Sequence, residues 1–176
     1  AIRVALYHAG YTGYIRRIGQ NSTRCVHMIV YRFARSAFST DLSGEGARLY
    51  GGRWNSRGAA VLYTSGSISL SLIELLMHSA SYDEILVNQL MVIDTGTDEC
   101  ATLDHGQLKK GWQNDVEYSR FIGDGFLSQQ QSLLLKVPSV AIPEEFNYLI
   151  NPLHKAFKKV KLRTVRTFSF DVRLFK

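Results

Sequence analysis

Apolar residues recur along this chain with two kinds of spacing. Short continuous or alternating runs have the length and the β-branched and aromatic content of strands: MIVYRFA from Met28, AAVLYT from Ala59, ILVNQLMVID from Ile85, SLLLKV from Ser132 and TFSFDVRL from Thr167. By contrast, ISLSLIELLMHSA places Ile68, Leu72, Leu75 and Leu76 at helical spacing, and Ser65-Gly66-Ser67 ahead of it offers a turn with a serine N-cap. Residues 116–127 carry a second helical pattern, interrupted by Gly123 and Gly125. Between the first two strands lies a polar stretch, residues 36–58, holding Gly44, Gly46, Gly51, Gly52 and Gly58. A loop that long inside a compact domain is usually functional or disordered. Strands outnumber helices without alternating with them, which predicts an α+β fold and not a doubly wound sheet.

With 176 residues, 45% of them apolar, the chain has the size and the apolar content for one core. The first strand opens at Met28, and residues 1–27, rich in Gly, Arg and Tyr without a clear period, read as an added or upstream extension. The domain is therefore expected at residues 28–176. A net charge of +6 and a pI near 9.4 raise the question of nucleic acid. Arg3, Arg16, Arg17 and Arg24 lie in the extension with no acid beside them, however, leaving only +2 for the rest. A second basic run, with Lys158, Lys159, Lys161 and Arg163, has the composition of a solvated strip. Direct nucleic-acid binding is thus not expected. Cys25 and Cys100 are far apart and show neither zinc-ligand nor disulfide-framework spacing, and no apolar run approaches the roughly 20 residues that span a bilayer. These features predict a cytoplasmic protein without a metal.

Two positions stand out chemically. In GGRWN, residues 51–55, paired glycines let the backbone pass close to a ligand while Arg53 offers a planar cationic fork suited to phosphate. Glu74 sits in LIELLM on the most apolar helix, where a carboxylate is costly unless it is paired or faces water. It lies either on a solvent stripe with His78 as its i,i+4 neighbour, or on a cleft, where a nearby Arg53 would pair with it. No GxSxG, HExxH, Walker A loop or GxGxxG is present, and the adjacent Glu144 and Glu145 do not suit a two-carboxylate glycosidase.

Residues 31–78, from YRFARSAF through GGRWN and VLYTS to LIELLMH, resemble the first half of the RES domain, the toxin of a bacterial toxin–antitoxin pair. VPS at 137–139, NYLINPLH at 147–154 and FSFDVRLF at 168–175 match later motifs in order. The family's namesake Arg, Glu and Ser map onto Arg53, Glu74 and Ser139, and Tyr63 matches a fourth site residue. The resemblance implies a single domain similar to ADP-ribosyltransferases that takes NAD+ as substrate, needs no separate cofactor and breaks the nicotinamide–ribose bond. It also implies a homodimer and an antitoxin partner with an Xre-type helix-turn-helix. Glu74 would then stabilise the oxocarbenium-like ribosyl cation. Arg53 would hold pyrophosphate or ribose, Tyr63 would stack on nicotinamide, and Ser139 would orient the ribose or Glu74. Arg32, Gly52, Asn55 and Asn151 are further candidates for substrate binding. The main alternative is ADP-ribosyl transfer to an acceptor, using the same residues. A nucleic-acid-binding module is a weaker reading, because it leaves this set unexplained.

Overall fold

The computed structural model describes residues 22–24, 28–97, 99–171 and 173. Eight strands are present among them: β1 (Ser22–Arg24), β2 (Ile29–Arg35), β3 (Leu62–Ser65), β4 (Asn88–Asp94), β5 (Glu99–Thr102), β6 (Leu134–Pro138), β7 (Phe146–Ile150) and β8 (Lys161–Thr167). The helices are α1 (Glu45–Tyr50), α2 (Ile68–His78), α3 (Tyr82–Leu86) and α4 (Val116–Gln129). The strands form one sheet in the order β1-β5-β6-β7-β3-β2-β4-β8, antiparallel except for β5 with β6. This is the expected α+β arrangement.

The period of two along the central strands divides side chains between opposite faces. Val61, Leu135, Val137 and Leu149 join a core with Trp54, Trp112 and the α4 residues Tyr118, Ile122 and Phe126. Their neighbours Leu62, Leu134 and Ile150 join Val30, Met91 and Ile93 on the other side. A third cluster seats α2 through Ile68, Leu72, Leu75 and Leu76 against Phe33, Ile85 and Leu90.

The pairing of the sheet changes abruptly at one seam. β2 pairs with β4 over its full length, from Ile29↔Asp94 to Arg35↔Asn88, and β3 pairs with β7 from Leu62 to Ser65. Between β2 and β3 the register pairs only Tyr31 with Ser65. Past that point the strands splay, and Arg32 Nη1 reaches across to the Tyr63 carbonyl oxygen at 3.0 Å. The seam is where the cleft opens.

Several boundaries differ from those the pattern predicts. The stretch from Ile85 is not one strand. Ser81 caps α3 by accepting from Glu84 N, and Asn88 Nδ2 then donates to the Glu84 carbonyl at 2.6 Å, so the strand starts only at Asn88. The last strand lies earlier than TFSFDVRL, over Lys161–Thr167. Phe168 and Phe170 leave the ladder to pack on Phe33 at ring-centroid distances of 5.2 and 5.6 Å. The basic run therefore forms an edge strand, with Arg163 paired to Asp94. Inside residues 36–58 stands the short helix α1. Of residues 1–27 only 22–24 are described, as β1 against β5, so the reading of residues 1–27 as an extension outside the domain lies almost wholly outside the described residues.

Candidate active site

A cleft of about 620 Å³ opens at the seam, between β2, β3, α2, the start of α4 and the loop after α1. Its lining includes Arg32, Gly52, Arg53, Tyr63, Ser71, Glu74, His78, Arg120 and Asn147. Glu74 is the one carboxylate among the lining residues, against three arginines. The lining therefore carries a net positive charge that favours an anionic ligand, with negative charge at a single place.

Glu74 reaches the cleft through the geometry of α2. Ser67 caps this helix by accepting from Leu70 N at 3.0 Å, and its hydroxyl donates to Glu145 Oε2 at 2.9 Å, tying the helix start to the segment between β6 and β7. With Leu72 and Leu76 on the core, a second stripe carrying Ser71, Glu74 and His78 faces the cleft. Of the two positions open from the sequence, Glu74 thus takes the cleft. Its partners are not arginines, and among the described residues it makes no ion pair. Ser139 Oγ donates to Glu74 Oε1 at 3.0 Å and Asn147 Nδ2 to the same oxygen at 2.6 Å. Ser139 is buried, and its oxygen accepts from Ala141 N and Ile142 N, which occupies its lone pairs and leaves its proton for Glu74.

The opposite wall is the GGRWN loop, and a network of packed groups fixes its shape. Buried Asn55 donates through Nδ2 to the carbonyls of Ala47 and Ala59 at 2.8 and 2.9 Å. Its Oδ1 accepts from the Tyr63 hydroxyl at 2.8 Å, which in turn accepts from Trp54 N at 2.9 Å. Burial pushes the Tyr63 hydroxyl well above its ordinary pKa, against the smaller lowering effect of its Trp54 N–H partner, so it remains a neutral donor and acceptor. Gly52 is required here, since a Cβ would lie 2.5 Å from the Tyr63 hydroxyl oxygen. At Gly123 on α4 a Cβ would lie 1.8 Å from the Trp54 carbonyl oxygen. That glycine lets α4 press the loop into place and does not break the helix, as the pattern had suggested.

Both guanidiniums on this wall are held by backbone carbonyls. Arg53 Nη1 donates to Gln113 O at 2.8 Å, and Arg120 Nε to Gly52 O at 2.8 Å. The remaining N–H groups of each stay available for a ligand. Arg32, in the fork of the sheet, has its pKa lowered by burial, with Asp41 opposing.

The fold therefore brings Arg32, Gly52, Arg53, Tyr63 and Glu74 to one cleft, with Ser139 immediately behind Glu74. Asn55 stands behind the loop as a support. Asn151 lies apart: it is buried, donates to Leu127 O at 2.9 Å and accepts from Leu153 N at 3.0 Å, so both ends of its amide are committed to the backbone. Arg120 and Asn147 were not picked out from the sequence, since each looks like an ordinary surface residue of its element. Among the described residues there is no His, Cys, Asp and Glu cluster fit for a metal, and no helix long and apolar enough to cross a membrane.

The chain is 38% identical over 150 residues to the Prs ADP-ribosylating toxin of Sphingobium sp. (strain YBL2), covering 81% of this chain and 92% of that protein. It is 37% identical over 149 residues to Toxin Res of Photorhabdus laumondii subsp. laumondii, covering 82% and 94%. In the crystal structure of the M. tuberculosis MbcT-MbcA toxin-antitoxin complex, one chain superposes with a TM-score of 0.71 at 21% identity, covering 89% of this chain and 92% of that one, which shows a shared fold. Residues 29–172 match the RES domain, and the chain belongs to the RES domain family.

Proposed function

We propose that this protein is the toxin of a toxin–antitoxin pair and that its cleft binds NAD+ and breaks the nicotinamide–ribose bond, depleting the cell of NAD+. The observation that carries the reading is the placement of a single carboxylate, Glu74, held through one oxygen, in a cleft whose lining also carries Arg32, Arg53 and Arg120. Nicotinamide departs as a neutral molecule from a cationic pyridinium and needs no acid to protonate it, so one carboxylate suffices. As the C1″–N bond lengthens, positive charge grows on the ribose, and a preoriented carboxylate stabilises it. Arg53 and Arg120 take the diphosphate through charge-assisted hydrogen bonds. The Tyr63 ring stacks on nicotinamide while its hydroxyl holds the loop, and Ser139 and Asn55 support Glu74 and the loop respectively. With water as nucleophile the products are nicotinamide, ADP-ribose and a proton. With phosphate they are nicotinamide and ADP-ribose 1″-phosphate.

A second reading, transfer of ADP-ribose to an acceptor, is favoured by the name of the Sphingobium relative. It uses the same cleft and differs only in what attacks C1″. The same reading of the chain makes it a cytoplasmic homodimer restrained by an Xre-type antitoxin. Incubation with NAD+ in water, in phosphate buffer and with cell extract, followed by mass spectrometry, separates the outcomes: free ADP-ribose, its 1″-phosphate, or a protein gaining an ADP-ribose mass. Intact NAD+ in every arm would reject both readings.

A further inference from the structure

We infer that Asn147 is the positioning residue that aims Glu74, and that Ser65 fixes Asn147 in turn. The inference rests on the proposed reading of the cleft and extends it to residues with no role there. In the β3–β7 ladder Ser65 stands directly opposite Asn147. The Ser65 hydroxyl donates to Asn147 Oδ1 at 2.7 Å, and Asn147 Nδ2 donates to Glu74 Oε1 at 2.6 Å. A carboxylate oxygen accepts and an amide carbonyl cannot donate, so only one orientation of the amide satisfies both neighbours. The Ser65 proton locks it there. Ser65 is buried and is also the β3 residue paired with Tyr31 where the sheet splits, so the relay starts where the two strands are still paired.

Ser139 donates to the same Oε1 from just beyond the end of β6, the strand paired with β7. Two donors on one oxygen fix the rotation of the carboxylate. They leave Oε2 without a hydrogen-bond partner among the described residues and available to the ribose. Asn147 thus acts through Glu74, and its loss should slow the chemical step more than it weakens binding.

The test is steady-state nicotinamide release from NAD+ by the full chain and by Asn147→Ala, Asn147→Asp and Ser65→Ala, with melting temperature and calorimetric NAD+ stoichiometry for each. Asn147→Ala should lower kcat by about 10²-fold, the order expected of a misaligned catalytic group, with KM within about threefold. Asn147→Asp should do at least as much, because it sets a like charge against Oε1. Ser65→Ala should cost roughly tenfold, since the amide is then free to turn. Stoichiometry should stay at that of the parent in the Ala variants. Parental kcat in Asn147→Ala would overturn the inference. So would a loss confined to KM, which would make Asn147 a substrate contact, or a loss matched by fewer NAD+ sites, which would make it structural. A parent chain that releases no nicotinamide would instead reject the reading of the cleft, and this inference with it.

Discussion

On the α2 and β7 wall of the cleft, the functional group is held by side chains: Ser139 and Asn147 converge on one oxygen of Glu74, and Ser65 stands behind Asn147. On the loop wall, Arg53 and Arg120 are held by backbone carbonyls, and the backbone is held by packing around Trp54, Asn55, Tyr63 and Gly123. On the proposed function, the difference follows from what each wall recognises. A ribosyl cation is a small centre of developing charge, which demands one oxygen at one place. A diphosphate is an extended anion, which two arginine forks can meet through several hydrogen bonds. Substitutions on the first wall should therefore act on kcat, and those on the second on affinity or on the loop itself.

The largest effect should come from Glu74→Gln, which keeps the size and hydrogen bonding of the side chain and removes its charge. Turnover should fall by about 10³-fold or more, the scale of losing a main electrostatic stabiliser, with little change in melting temperature. Unimpaired turnover in a folded variant would remove Glu74 from the chemistry. Next, Arg53→Ala and Arg120→Ala should each weaken NAD+ binding by roughly 10- to 100-fold, as expected for losing a charge-assisted contact, with a smaller effect on kcat. Nicotinamide riboside, which has no phosphate, should bind both variants as it binds the parent, and an equal loss for both ligands would mean that the arginines only shape the loop.

Gly123→Ala tests the loop wall without touching substrate. The added methyl meets the Trp54 carbonyl oxygen, so α4 or the loop must shift, at a stability cost of about 1–3 kcal/mol by urea denaturation. NAD+ affinity should fall with it. Tyr63→Phe keeps a ring for stacking but leaves Trp54 N and Asn55 Oδ1 without their shared partner, which should cost about 1–3 kcal/mol of stability. Activity in this variant should fall by less than about tenfold if stacking is the ring's role in binding. The smallest effect should come from starting the chain at Met28, which should fold and turn over NAD+ like the parent, and loss of either would show that the extension belongs to the domain.

Much of the first wall was legible in the sequence because α2 is long and strongly periodic, so an acid among its leucines was conspicuous. Its direction was not. A solvent stripe and a cleft stripe look alike until β2 and β3 splay apart. The second wall was legible as a glycine pair beside an arginine, but its supports lie on α4, about 70 positions further along the chain, and Gly123 read as an interruption of that helix. Asn147 and Asn151 stand in one short motif, NYLINPLH, and only the ladder separates them. The first faces Ser65 and Glu74, whereas the second turns into the core beneath Leu127. β8 was misplaced because its charged residues hide the pattern of an edge strand, which needs few apolar positions.

The central claim is that Glu74, held from behind, drives the loss of nicotinamide from NAD+ in this cleft. Its most direct test is the rate of nicotinamide release from NAD+ by the parent chain and by Glu74→Gln, at matched concentration and with matched circular dichroism spectra and melting temperatures. The account requires release by the parent and a fall of about 10³-fold in the variant. Equal release by the two, or none by either, would contradict it.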